Sequence, residues 1–350
     1  MKCYQVEPTQ DPRWGKFTGR HPRASIFHSV AWLTALKHTY GYQPLVFTTS
    51  PPDQELENGL AFCQVDSWFT GNRLVSLPFS DHCDPLFDSE QQLDFLISSL
   101  LSEFEVKHWK YLEVRPVIAS FVRSDSSRGF TPTERFFLHA LDLRGDIDEL
   151  FRNLDKDSVQ RRVRRAERAN LDEKYGASES LLKDFYRLFV ISRRRHRIPP
   201  PPYSWFQNLI RYLGGALEIR LAYQKESAIA AVLTLRFRDV VYYKYGCSDV
   251  RFNQLGAMPW LLWNAIAAAR LGGATEFDLG RTDANDAGLL AFKNHWVPRP
   301  KQLVYWRFPK VAHFLPSTEG WKAKLAGPAF SHMPLGLLEF TGKLLYRHFG

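Results

Sequence analysis

The sequence predicts an α/β protein, of the α+β kind, made of two similar units. Three observations carry that expectation. At 350 residues the chain suits about two average domains. With 45% hydrophobic and 14% aromatic residues, it has the composition of a chain with a sizeable core. Helical and strand-like patterns also follow one another in the same order in each half.

In the first half, SIFHSVAWLTALKHTYG places Val30, Leu33 and Leu36 at helical spacing. QPLVFTTS reads as a strand and residues 59–65 as a second. The polar turn Thr70-Gly71-Asn72 leads into RLVSLPF. A helix over residues 91–104 and the strand HWKYLEVR complete this half. In the second half, SLLKDFYRLFVISRRR predicts a helix. LEIRLAYQ, AIAAVLTLRF and VVYYKYGCS are successive strands, the first two joined by Lys225-Glu226-Ser227. A helix over residues 259–271 and the strand ATEFDLG follow. WKYLEVR and ATEFDLG thus take equivalent places, each with an acid near its end. The expected division is 1–150, 151–309 and a basic, apolar tail over 310–350. The tail ends GLLEFTGKLLYRHFG, a docking helix or a membrane-surface contact.

A net charge of +9 points to an acidic partner: nucleic acid, an acidic carrier protein, a phosphorylated substrate or a membrane surface. Solubility is the plainer explanation. Cys3, Cys63, Cys83 and Cys247 are scattered, with no C-x-x-C pair and no zinc spacing. The expectation is a reducing compartment and no metal site. MKCYQVEPTQDPRW has no apolar run of the secretory kind. The longest uncharged stretch, between Arg251 and Arg270, holds Asn253, Gln254, Gly256, Pro259 and Asn264, a poor membrane span. A soluble cytoplasmic protein is expected, able to meet the inner membrane face through its tail.

Chemistry concentrates in FDLGRTDANDAGLLAFKNHW, residues 277–296. Lys293 sits between Phe292 and the bulky pair His295 and Trp296. It is either an anchored structural cation or a group aimed at developing negative charge. Asp278, Arg281, Asp283 and Asp286 surround the strand end and loop, where substrate-positioning groups often lie. His295 is a candidate proton acceptor, although a histidine beside a tryptophan is more often structural. Tyr243 and Tyr245, two apart in a strand, are expected on one face. There they bind substrate or orient an amine, or merely satisfy strand preference.

Between the halves, DKDSVQRRVRRAERANL predicts a helix capped by Asp157 or Ser158. Val159, Val163 and Ala166 fall on one face, and Arg161, Arg164, Arg165 and Arg168 on the other. The stripe suits phosphate or is simply solvated. A second cluster, Arg193, Arg194, Arg195 and Arg197 with His196, ends the next helix and complements its dipole.

The SVQRRVRRAER helix, the YYKYG strand, the FDLGRT strand end and the FK-x-x-W element, in that order, resemble the Fem-type peptidyltransferases and the related acyltransferase domain of the GNAT (Gcn5-related N-acetyltransferase) fold. HSVAWLTALKHTYGY and RLVSLPFSDHCDPL resemble the front half of Fem-like proteins encoded near bacterial exopolysaccharide genes. The resemblance spans roughly residues 25–310. It implies tandem GNAT-like domains, each a mixed, mostly antiparallel sheet flanked by helices. It implies an N-acyltransferase that joins an acyl or aminoacyl group to an amine of a cell-envelope or exopolysaccharide precursor.

On that resemblance, Lys293 stabilises the oxyanion and Phe292 shields it. Asp278, Tyr243 and Tyr245 serve catalysis, and Arg281 and Asp283 hold substrate. The loop with Asp81 and Asp84 borders the cleft. Arg161, Arg165 and Arg251 take donor phosphates. The implied donor is a co-substrate rather than a resident cofactor: a coenzyme A thioester, an acyl-carrier protein or aminoacyl-tRNA. Acetyl-CoA enzymes of this fold carry Arg/Gln-x-x-Gly-x-Gly/Ala, whose N–H groups hold pyrophosphate. Here the loop reads Arg251-Phe252-Asn253-Gln254-Leu255-Gly256-Ala257, with Gln254 at the first glycine position. A catalytically inactive GNAT-like module that binds an acidic carrier or nucleic acid is the alternative.

Overall fold

Short polar caps and glycines punctuate the chain in the computed structural model, which describes residues 1–68, 70–118, 129–309, 330 and 333–348. Much of the 310–350 tail lies outside them. The elements are β1 (Tyr4–Val6), α1 (Pro12–Arg20), α2 (Val30–Tyr40), β2 (Gln43–Thr48), β3 (Leu60–Val65), β4 (Arg73–Val75), α3 (Glu90–Val106) and β5 (Leu112–Val114). There follow β6 (Thr131–Asp142), α4 (Ile147–Asn153), α5 (Arg161–Arg168), β7 (Asp172–Gly176), α6 (Glu179–Arg195), α7 (Tyr203–Leu213), β8 (Leu217–Gln224), β9 (Ser227–Phe237) and β10 (Val240–Ser248). Last come α8 (Ala257–Leu271), β11 (Glu276–Asp283), α9 (Ala287–Asn294), β12 (Lys301–Phe308) and α10 (Leu335–Tyr346). No described helix is long and apolar enough to cross a membrane.

Caps explain most boundaries. Ser29 accepts from the Trp32 N–H to open α2, and Gly41, at φ 75°, closes it in the left-handed region. Ser89 and Ser178 open α3 and α6 the same way. The three arginines of the last turn of α6 sit where cations favour the helix dipole. The cap expected at Asp157 or Ser158 is instead Asp155. Its carboxylate accepts the N–H groups of both those residues, because a π-helical turn over Lys156–Gln160 precedes α5.

The chain divides into two units. One holds Met1–Arg135 with the chain from Leu303 and the C-terminal residues from Leu344. The other holds Phe136–Gln302 and α10 up to Lys343. The first unit orders its strands β1-β2-β3-β4-β5-β12. All neighbours are antiparallel except β4 and β5, which are parallel and joined through α3. The second orders them β7-β8-β9-β10-β11-β6, again antiparallel except for β10 and β11, joined through α8. The two orders are the same, so the repeat in the sequence is a repeat of topology.

The core of the first unit packs Leu93, Leu96, Ile97 and Leu100 of α3 on Phe47, Phe62, Leu112 and Trp306. In the second unit, Leu262 and Ile266 of α8 pack on Val241, Phe277 and Leu279, with Val159 and Val163 from the basic segment.

Candidate active site

The second unit is open where its parallel strands part. β10 and β11 pair only through Val240–Tyr242 and Glu276–Asp278. Beyond Tyr242, β10 runs on to Ser248 paired with β9, and β11 runs to Asp283 paired with β6. Both strands bulge as they separate, β10 between Tyr243 and Tyr245 and β11 between Asp278 and Arg281. Bulges bend strands and re-aim side chains. The result is a wedge with one edge of β10 facing no partner strand among the described residues, a place where an extended ligand with amide groups can pair.

The matching place in the first unit is closed. There Cys83 bridges to Arg115 just past β5. The Arg115 guanidinium donates to the carbonyls of Leu77 at 3.0 Å and Ser80 at 3.4 Å.

The bulge corrects one expectation. Tyr243 pairs with Thr234 and Tyr245 with Leu233, so the two phenols lie on opposite faces of β10. Lys244 is the inserted residue that breaks the two-residue alternation. Tyr243, like Trp260, packs against the core on the α8 side. Tyr245 packs on Phe189 and Phe206, and its oxygen accepts from Trp205 Nε1 at 2.9 Å.

Lys293, near the end of α9, is 3% exposed. Among the described residues no other lysine is buried. Its Nζ donates to the carbonyls of Gly280 at 3.1 Å and Arg281 at 2.9 Å, at the β11 bulge. These carbonyl dipoles hold the ammonium at the bulge. Asp278 is buried where the strands part, and its carboxylate accepts the Gly280 N–H at 2.6 Å. Gly280 itself takes φ 73°, which this tight bulge requires. Lys293 and Asp278 thus converge on one bulge.

The neighbouring candidates have plainer settings. Phe292 packs at the edge of the core against Trp296. Arg281 lies over the Phe136 ring at 4.2 Å. Asp283 turns the loop by accepting from Asn285, and Asp286 caps α9 through the Leu289 N–H. His295 Nδ1 stands 3.6 Å from an Asp155 oxygen, at the surface.

His139 escaped the sequence reading because β6 was not recognised. Its Nε2 meets Asn294 Oδ1 at 2.9 Å, and its buried Nδ1 has no hydrogen-bond partner among the described residues. Burial lowers its pKa and nearby Lys293 lowers it further, while the Asn294 contact, the Phe137 backbone and the Asp278 charge oppose. The alternation in RFFLHALD was the available signal.

The arginine stripe lies as expected: Val163 and Ala166 are buried, while Arg161, Arg164, Arg165 and Arg168 are exposed and line a recess of about 370 Å³. Arg161 pairs with Asp157 at 2.6 Å, and Arg165 donates to the Gln254 carbonyl at 3.1 Å. α5 therefore abuts the loop that opens α8. A Cβ on Gly256 would lie 2.3 Å from the Arg162 carbonyl oxygen. The loop is a 3-10 turn over Val250–Leu255, capped by Asp249. Arg251 folds back on Asp249 with a 2.6 Å contact.

In the first unit, Asp84 is buried and its carboxylate accepts the Val117 and Ile118 N–H groups. Burial pushes its pKa up. The Asp81 carbonyl accepts from the Tyr305 hydroxyl. In this unit the two aspartates fasten the loop.

Residues 156–294 match the model of the acetyltransferase (GNAT) domain family. No curated protein matches the sequence. Among solved structures, FemX is similar over 88% of this chain and 97% of that one, at 15% identity and a TM-score of 0.68. The C-terminal domain of a putative lysylphosphatidylglycerol synthetase from Agrobacterium fabrum is similar over 92% and 98%, at 12% identity and 0.58. A tandem GNAT protein from the clavulanic acid biosynthesis pathway is similar over 90% and 99%, at 10% identity and 0.57. Identities this low carry the fold. The wedge between β10 and β11, Lys293 and the basic stripe all fall inside the segment that matches the acetyltransferase (GNAT) domain model, in a chain whose fold is similar to that of FemX and of a tandem GNAT protein.

Proposed function

We propose that the chain is an N-acyltransferase that moves an acyl or aminoacyl group to an amine of a cell-envelope or exopolysaccharide precursor. On this reading the acyltransferase domain expected over 151–309 is built on the unit that holds Phe136–Gln302, and the N-terminal GNAT-like domain expected over 1–150 on the unit that holds Met1–Arg135 and β12. The observation that carries the reading is the parting of β10 from β11 after Tyr242 and Asp278. An unpaired strand edge suits an extended arm with amide groups. The phosphopantetheine arm of coenzyme A or of an acyl-carrier protein has that chemistry, whereas aminoacyl-tRNA has no such arm. Arg161 and Arg165, beside the opening of α8, supply cations for the donor's phosphates.

The acceptor amine attacks the thioester carbonyl. A C–N bond forms, the oxygen takes negative charge, and the C–S bond breaks as the thiolate leaves. Lys293 stabilises the oxyanion from its fixed place at the bulge, with Phe292 limiting water. Asp278 orients the amine, and Tyr243 and Tyr245 frame the opening from the two faces of β10. His139 Nδ1 and Asp278 are the groups placed to accept the amine proton. Arg281, Asp283, Asp81 and Asp84 act through the loops they hold. Arg251, turned onto Asp249, serves the donor only if it swings away.

Native mass spectrometry with coenzyme A as the probe tests this. A one-to-one adduct is expected, weakened at least about tenfold in an Arg161→Ser/Arg165→Ser variant. Retention of charged tRNA with no coenzyme A adduct would replace the donor. Binding without any acyl product would leave a binding module.

A further inference from the structure

The helix α10 is apolar on two sides. Its inner side carries the buried Leu338 and Gly342, and a Cβ on Gly342 would meet the Pro200 carbonyl oxygen at 2.0 Å. Its outer side carries Leu337, Phe340 and Leu344, exposed by 52%, 57% and 52%. Spacings of three and four residues set them in one line along the helix. A helix with one face packed normally shows charge on the other. Here large apolar side chains stand in that place, and such a surface is made for contact.

Charge identifies the partner. Lys343 and Arg347 are exposed beside the ridge. The acid of this helix, Glu339, is half-buried, and its pKa is raised by burial. Just past the helix, His348 packs edge-on against Trp68 at 5.7 Å, and Trp68 is 86% exposed. An apolar ridge with flanking cations, no exposed acid among the described residues of the helix itself, and an exposed tryptophan against His348 just past its end matches the interfacial zone of an anionic bilayer. Leucine and phenylalanine enter the acyl boundary, cations meet headgroups, and tryptophan favours the level between them. A second copy of the chain fits less well, since ridge-to-ridge pairing sets Lys343 and Arg347 against their own images.

We propose that α10 is a membrane-docking helix that lays Leu337, Phe340 and Leu344 into an anionic bilayer surface. The binding needs no acyl donor, so it stands apart from the acyl-transfer reading. The test is sedimentation of the full chain with vesicles of phosphatidylcholine alone and of an equal mixture with phosphatidylglycerol. The wild type is expected to sediment with the mixed vesicles and not with phosphatidylcholine, and to be released by salt. A Leu337→Gln/Phe340→Gln/Leu344→Gln variant, altered only at exposed positions, is expected to keep its melting temperature and bind at least about tenfold more weakly. Failure of the wild type to sediment, or equal binding by the variant, overturns the proposal. So does a concentration-dependent dimer that the variant abolishes with no vesicle binding in either protein.

Discussion

Lys293 is anchored as a structural residue, and its proposed chemistry can be tested apart from that anchoring. Its flanking residues mark it as buried, and the structure adds two carbonyl partners from the β11 bulge. Lys293→Met keeps the volume but strips both carbonyls of their donor. A loss of about 1–3 kcal/mol is expected from a buried acceptor left unpaired, read by urea unfolding. Acyl transfer is expected to fall about a hundredfold or more, the usual scale for removing an oxyanion donor. A variant with full turnover would remove Lys293 from the mechanism, whatever its stability. Tyr243 and Tyr245 carry the opposite lesson. Their spacing of two implied a shared face, but one inserted residue, Lys244, sends them apart. Nothing local in YYKYG announces a bulge, because the bulge answers to where β11 leaves β10.

Among the elements, α5 and α8 define the basic side of the site. The amphipathic stripe of α5 was legible because Val163 and Ala166 recur at helical spacing between arginines. Its docking against the opening of α8 was not, because that depends on Gly256. This glycine has φ 77° and passes under the Arg162 carbonyl. Gly256→Ala is expected to cost about 1–2 kcal/mol from the left-handed backbone alone, and more from the overlap with Arg162. Urea unfolding measures the loss. The same variant should weaken coenzyme A binding by shifting Arg161 and Arg165 away from the α8 terminus. Unchanged stability and affinity would show that the close approach is not needed.

At the scale of the whole molecule, buried titratable groups couple the fold to pH. His28 is fully buried: Nδ1 accepts the Ser25 N–H, so Nε2 carries the proton beside the Asp84 carbonyl at 3.0 Å. Burial, aided by His82 and His21, brings its pKa from 6.5 to about 3. A lowered folded value means the stability is present above 6.5 and is lost as pH falls toward 3. Burial pushes the Glu113 carboxyl up, but Arg307 and Arg115 reverse this and bring it to about 2. Its contribution is full above the ordinary 4.5 and is lost as pH falls toward 2. Urea midpoints are therefore expected to fall in two stages, below about pH 6.5 and again below about pH 4.5. His28→Gln should flatten the first stage while lowering stability at neutral pH. An unchanged first stage would exclude His28 as its source.

The sequence by itself determined much of the local grammar: the helices α2, α3, α5, α6 and α8, the strands β2, β3 and β8 to β11, that the two halves repeat it, and that charge gathers on α5 and around Lys293. Those features depend on residue order over a few turns, through periodicity, caps and glycines. Tertiary structure decided the rest. The closing strands β6 and β12 come from the other side of each repeat, so no window of sequence reveals their partners. The same distance in sequence hid His139, which meets Asn294 only when β6 lies beside β11. Which unit opens is also tertiary: Arg115 with its carbonyls closes β4 and β5, while paired bulges part β10 from β11. A bulge or a wedge belongs to two strands at once, and its cause is the partner rather than the residue.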